Sequence, residues 1–417
     1  MSLDQSASTL GSPISEEHPT NGTQQLQLPA DWHRERRRSM MQKYRDEIAP
    51  LEQATTFLGV PLLVLTSGSL FALAVSMTDA VPLPLVILLA LFPGSMLSLW
   101  QLQLLHDLIH GLMLNKKKTT VLGMEKKRMQ DALLFWGSLP CYFGYYLYLK
   151  NGHMSHHAKL GQHDLLDLFE SDQIDFEDGD VLFTSHRMHL TGDYGPKVPI
   201  PGGDNHFKMS ISRSGFYFWK EGEAIRNAIL FAASFVYERM LLGLNDAVVA
   251  ILGRNLFFLR KPDTFHETNA NYSRVATALR LALWTFVSYK AVLFLFLAET
   301  LWCLPPHPAS VMFVTNHGSK TPETADAGGG TVCEPTQSTY AGFWYSLFTL
   351  NTNCHCEHHD FPAIPLHHLH RLRRIAPEFY QQSDDDLPKL LEEAFAYPDF
   401  YACMNASPTV VANIHER

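Results

Sequence analysis

Two stretches of this chain carry no charged side chain: Phe57 to Met77, 21 residues, and Ala80 to Leu105, 26 residues. A helix rises about 1.5 Å per residue and crosses a hydrocarbon core with about 20 apolar residues, so each run is long enough to span. Inside lipid the backbone must satisfy its own hydrogen bonds, which leaves a helix as the natural fate of such a run. Only Thr78 and Asp79 separate the two, with Pro82 and Pro84 close behind. The pattern predicts a tight helical hairpin that enters the membrane and returns. Before it stand His33-Arg34-Glu35-Arg36-Arg37-Arg38, Lys43 and Arg45; after it stand Lys116 to Lys118 and Lys126-Lys127-Arg128; the turn has neither Lys nor Arg. The positive-inside rule then places both flanks in the cytosol.

Three further apolar segments follow. Ala132 to Leu149 is charge-free, aromatic and broken by Pro140, which predicts an interfacial or re-entrant element. Ala228 to Leu252 is interrupted by Glu238, Arg239 and Asp246, and Leu281 to Leu304 by Lys290 and Glu299. Both are expected as spans whose ionisable groups face the bundle. The segment between them, expected as a loop, carries Arg254, Arg260, Lys261, Arg274 and Arg280, which conflicts with a lumenal location. The alternative lays one of the two in the interface.

Composition narrows the rest. Charged residues are 18% of the chain, below the quarter usual for soluble proteins, and the net charge of -9 disfavours a nucleic-acid partner. Six scattered cysteines do not make a disulfide framework. Residues 1–54 are expected as a disordered and basic cytosolic segment, 55–380 as the membrane domain and 381–417 as a cytosolic tail. No secretory or transit signal is evident at the start, so the endoplasmic reticulum is the expected membrane and a plastid membrane the alternative.

The 21 histidines cluster. His106 and His110 follow the second run, in HxxxH spacing. His153, His156 and His157 follow the aromatic run, and His355, His358 and His359 follow the last span, both as HxxHH. Residues three or four apart share a helical face, so each box can present two imidazoles to one ion. Adjacent histidines diverge by about 100° on a helix and can serve two ions. Eight neutral imidazoles suit two first-row transition ions. Even crossings bring all three boxes to one membrane face. Asp107 and Asp360 are candidates to orient imidazoles, against a plain surface role. Cys354 and Cys356 read as packing residues, and His367, His368 and His370 as part of a basic surface helix. His163, His186, His189 and His266 are lesser candidates as ligands. Lys116 to Lys118 could hold a phosphate or an acidic partner, against a solvated flank.

The three boxes on a multi-span chain resemble the integral-membrane fatty acid desaturase superfamily over roughly residues 55–380. Glu357-His358-His359-Asp360-Phe361-Pro362 after His355, with His106-Asp107-xx-His110, is most similar to the sphingolipid delta-4 branch. Two features depart from it: about 200 residues separate the second and third boxes, and Asp164 to His206 has no counterpart. The resemblance implies an all-α integral membrane fold of four transmembrane helices, with a cytosolic helical cap carrying a histidine-ligated di-iron site. It implies two Fe ions, O2, and a fatty acyl or sphingolipid substrate. Lacking an HPGG haem motif, the chain would take electrons from a separate cytochrome b5 or ferredoxin. It also implies a ninth ligand near the fourth span, for which His317 is the best placed, with Asn316 beside it. A lipid or carotenoid hydroxylase or ketolase would use the same scaffold. A metal transporter would instead carry ligands within its spans.

Overall fold

The computed structural model describes residues 29–142, 145–151, 153–154, 157, 197–199, 206–208, 222–255, 262–316 and 336–396. It is mainly helical. The first charge-free run is α3, Gly59–Ser76. The second is α4, Leu83–Leu89, a π-turn over Ala90–Gly94, and α5, Ser95–Ile109. Together Leu83–Ile109 and α3 are the two helices, among the described residues, long and apolar enough to cross a membrane. Pro82 caps α4 and Pro84 sits in its first turn, where a missing N–H costs nothing. The hairpin exposes Val64, Leu65, Phe71, Ile87, Leu88 and Phe92. An apolar surface of that extent fits lipid rather than water.

Where the π-turn meets the bundle, a side chain is excluded. A Cβ on Gly94 would lie 2.9 Å from the Leu89 carbonyl oxygen and 3.0 Å from the buried Phe294 ring. Gly94→Ala is expected to cost about 1–3 kcal/mol by overpacking, read as a lower unfolding midpoint in detergent.

The aromatic run is not one helix. It divides into α6, Lys126–Ser138, and α7, Tyr145–Asn151, consistent with the break expected at Pro140. Among the described residues of the middle of the chain are two short antiparallel ladders, β1 (Thr120–Val121) with β2 (Met124–Glu125) and β3 (Lys197–Pro199) with β4 (His206–Lys208).

The later segments depart from the expected pattern. α8 is Ala224–Leu252, ended by Gly253 in the left-handed conformation that favours glycine. The segment expected as a charged loop is largely helix: α9 is Asp263–Phe286. Its apolar stripe of Tyr272, Ala276 and Leu283 is buried, and Arg280 is half-buried, its Nη2 2.9 Å from Asp246 Oδ2 on α8. The run expected from Leu281 to Leu304 is correspondingly not continuous. It breaks after Phe286, and α10 is Tyr289–Leu301, with Ser288 accepting from the Lys290 backbone N–H. Lys290 Nζ donates to the carbonyls of Asp79 and Val81. The α9–α10 junction therefore lies at the same end of the bundle as the first hairpin's turn. On α8, Arg239 Nη1 lies 2.8 Å from Glu299 Oε1 of α10, both buried. The ionisable groups Arg239, Asp246 and Glu299 thus face partners within the bundle.

α11 (Pro308–Thr315), α12 (Gly342–Phe348), α13 (His355–Asp360), α14 (Leu366–Leu369), α15 (Leu372–Ile375) and α16 (Leu387–Ala396) follow. Trp284, Phe286 and Tyr289 are exposed at the hairpin-turn end. Aromatic girdles of that kind mark membrane interfaces.

The flanks are more ordered than their composition suggested. Within the segment expected as disordered and basic, α1 (Pro29–Lys43) and α2 (Arg45–Gln53) are helices. Trp32, Met40, Ile48 and Leu51 bury against Phe361, Ile364, Leu366 and Leu369. The arginines of α1 suit a solvated segment, whereas the apolar residues between them supply a docking face. In the expected C-terminal tail, Ala394 and Phe395 of α16 are buried with Phe231 of α8, and the Phe395 carbonyl accepts from Asn227.

Candidate metal centre

α5 carries His106 in its last turn and His110 at its C-terminal cap. His153 and His157 share one helical face, four residues apart. α13 holds the third box. These three pieces of chain meet at the end of the bundle opposite the hairpin turn. One donor atom each from His106, His110, His153, His157 and His358 lies within 4.8 Å of all the others.

The contacts converge on Nε2. His110 Nε2 is 3.0 Å from His153 Nε2, His157 Nε2 is 3.1 Å from His153 Nε2, and His358 Nε2 is 2.9 Å from His157 Nε2. A neutral imidazole has one N–H and one lone pair. His153 Nε2 faces two other ring nitrogens at once, so ring-to-ring hydrogen bonds cannot satisfy such a knot fully. Lone pairs aimed at one point are the donor arrangement of a soft or borderline cation. His358 is buried, and its Nδ1 has no hydrogen-bond partner among the described residues. The donor set fits a metal.

The adjacent pair in α13 diverges. The His358 ring lies 4.3 Å from that of His106, while the His359 ring lies 4.3 Å from that of His157 and 4.6 Å from that of His355. His355 and His359 thus extend the cluster on its second side. His156 and His317 lie outside the described residues, as do His163, His186 and His189.

Burial keeps His110 and His358 neutral. It pushes His110 down from 6.5 to about 3, and it pushes His358 well down, helped by neighbouring imidazoles. A histidine whose folded pKa is depressed takes up its proton first in the unfolded chain. Its contribution to stability is complete above about pH 6.5 and is lost as pH falls from there toward 3. Metal-free protein should therefore lose thermal stability across that interval, and His110→Ala should flatten the slope.

Of the two carboxylates expected to orient imidazoles, Asp360 bonds the imidazole of His33, which lies outside the three boxes. Asp107 accepts from Thr56 Oγ1 at 2.6 Å and from the Leu366 N–H, tying the start of α3 to α14. Asp360 accepts from Arg36, from Tyr380 at 2.9 Å and from His33 at 2.7 Å. Burial alone would raise the Asp360 pKa, but Arg36 and His33 outweigh it and hold the group ionised. Asn316 meets Gln337 through its backbone carbonyl. Cys354 and Cys356 are buried, and burial pushes both thiols well up, which suits packing residues. Lys116 donates to the carbonyls of Glu52 and Ala363, so it is a strut between chain segments. His266 accepts from the Asn255 N–H at 3.1 Å, closing the α8–α9 connection.

Sequence reasoning passed over several groups. Glu357 is fully buried and accepts from Ser338 and Tyr340 hydroxyls at 2.5 Å each. His33, read only as part of a charged flank, lies 5.1 Å from His359, ring to ring, in a stacked arrangement. Its signal was Trp32-His33 with Arg36 one helical turn on.

Residues 214–386 match the fatty acid desaturase family. That region holds the third box, and the fold adds the first two boxes to it. The chain is 29% identical over 162 residues to sphingolipid delta(4)-desaturase DES1-like of Oryza sativa subsp. japonica, covering 38% of this chain and 42% of that protein. It is 33% identical over 137 residues to the Homo sapiens sphingolipid delta(4)-desaturase DES1, covering 32% and 36%. It is 36% identical over 117 residues to the Homo sapiens sphingolipid delta(4)-desaturase/C4-monooxygenase DES2, covering 28% and 30%. The matches thus span 30% to 42% of these relatives' lengths. No solved structure matches the chain. With three histidine boxes gathered at one end of a helical bundle, the chain is similar over part of its length to the fatty acid desaturase family and to sphingolipid delta(4)-desaturases.

Proposed function

We propose that the chain is an oxygen-dependent membrane lipid desaturase that places a double bond in a fatty acyl or sphingoid chain. The observation that carries the reading is the meeting of five imidazole donors from three distant boxes within 4.8 Å. His106, His110, His153, His157 and His358 would hold metal on one side, and His355 and His359 on the other. His156 and His317 are the further proposed ligands, for two iron ions in all. When bound, iron supplies the oxidising power to remove hydrogen from an unactivated methylene, which no side-chain base can ionise. Overall, one –CH2–CH2– unit, O2, two electrons and two protons give –CH=CH– and two waters. The electrons come from a separate cytochrome b5 or ferredoxin.

The protein's own part is to hold neutral imidazoles in place and keep the site dry. Burial of His106, His153, His358 and Asp360 does both. In the proposed topology, α3 with α4–α5 makes one membrane hairpin and α9 with α10 the second. α8 then lies along the interface, and Arg254 stays on the histidine side, which removes the conflict with the positive-inside rule. That gives four spans and a cytosolic cap, with residues 55–380 as the catalytic body in the endoplasmic reticulum membrane. The test is lipid profiling of a desaturase-deficient yeast expressing the chain. A product two mass units below its precursor supports the reading. A product sixteen units above it would make the chain a hydroxylase.

A further inference from the structure

The third box is held from outside by a helix that begins more than 300 residues earlier in the chain. Arg36 of α1 donates twice to Asp360, Nε to Oδ2 at 3.1 Å and Nη2 to Oδ2 at 3.0 Å, and it also donates to the Phe379 carbonyl at 2.7 Å. Tyr380 donates to the same carboxylate at 2.9 Å, and the guanidinium lies 4.2 Å over the Trp32 ring. One turn earlier on α1, both ring nitrogens of His33 are engaged. Nδ1 is 2.7 Å from Asp360 Oδ1, and Nε2 is 3.0 Å from Thr336 Oγ1. An ionised Asp360 only accepts, so Nδ1 donates to it, and Nε2 pairs with the Thr336 hydroxyl. The ring is thereby fixed in one plane. It stacks on His359 at 5.1 Å with 29° between the planes.

We propose that α1 is a clamp on the metal centre, in which Arg36 and Asp360 lock His33, and His33 sets the plane of the His359 imidazole. His33 and Arg36 are positioning residues that act through His359. The inference rests on the reading of the histidine cluster as a metal centre. His33, Cys356 and Asp360 also lie close enough together to hold an ion of their own. The Arg36 fork already neutralises that carboxylate, so a cation there would have to displace it, and we assign the group to the clamp.

The test uses purified full-length protein in detergent, titrated with Co(II) as the probe and followed by its visible ligand-field absorption. His33→Ala should shift the absorption band and weaken Co(II) binding about tenfold, the scale seen when a group supporting a ligand is removed. His33→Phe keeps a ring against His359 and should restore the band toward wild type. Arg36→Gln should loosen the site as His33→Ala does. If His33→Ala does not fold, the contrast between His33→Phe and Arg36→Gln decides. Wild-type spectra and affinities in both His33→Ala and Arg36→Gln would overturn the clamp. So would loss of one bound Co(II) with the remaining spectrum unchanged, because His33 would then be a ligand. A wild-type chain that binds no Co(II) overturns the metal-centre reading itself, and it is distinguished by failing before any variant is compared.

Discussion

His358→Ala is expected to abolish double-bond formation by the proposed desaturase and to empty most of the metal from the purified chain. His358 is 1% exposed, its Nε2 is 2.9 Å from His157 Nε2, and its ring packs against His106. It alone among the third-box histidines belongs to the five-donor group. Groups that merely support a ligand change affinity about 10–100-fold when removed, and loss of a ligand itself should exceed that. The substitution also vacates a buried volume, so the control is a second substitution of similar size away from the cluster. Iron per chain, by elemental analysis, and new unsaturated lipid in the yeast strain are the two readouts. They should fall together for His358→Ala and for His153→Ala, and neither should fall for the control.

Asp360→Ala is expected to be among the most destabilising single changes outside the membrane bundle. Arg36 is mostly buried, and Asp360 is 1% exposed. Removing the carboxylate leaves the guanidinium without its counter-ion, and leaves His33 Nδ1 and the Tyr380 hydroxyl without their shared acceptor. Breaking one partner of a buried pair typically costs about 3–5 kcal/mol, because the remaining charge is stranded. A domain has only about 5–15 kcal/mol in total. The double variant Arg36→Met with Asp360→Ala should recover part of the loss, since no buried charge then remains. Chemical unfolding in detergent, followed by far-ultraviolet circular dichroism, measures both. Equal stability of the single and double variants would show that the ion pair carries no such cost.

Local patterns in the sequence were readable where the chain itself supplies the constraint. The charge-free runs announced α3 and Leu83–Ile109, because nothing but a self-bonded helix suits such residues in lipid. The box spacings announced shared helical faces, because that depends on three or four residues alone. What stayed hidden depends on distant partners. Arg280 looked like a loop cation until Asp246, 34 residues away, supplied its counter-ion. The span expected over Leu281 to Leu304 gave no warning of the break at Ser288, whose role is set by the hairpin turn around Asp79. The N-terminal arginines read as a membrane flank, and only the fold brings Arg36 and His33 to Asp360.

Metal content is the most direct measurement. Full-length protein purified under reducing, anaerobic conditions and reconstituted with ferrous iron should retain about two irons per chain after desalting, as eight or nine neutral imidazoles can hold. The His110→Ala, His358→Ala pair should retain almost none. A wild-type chain that keeps no iron, or that binds it equally well without His110 and His358, would contradict the account.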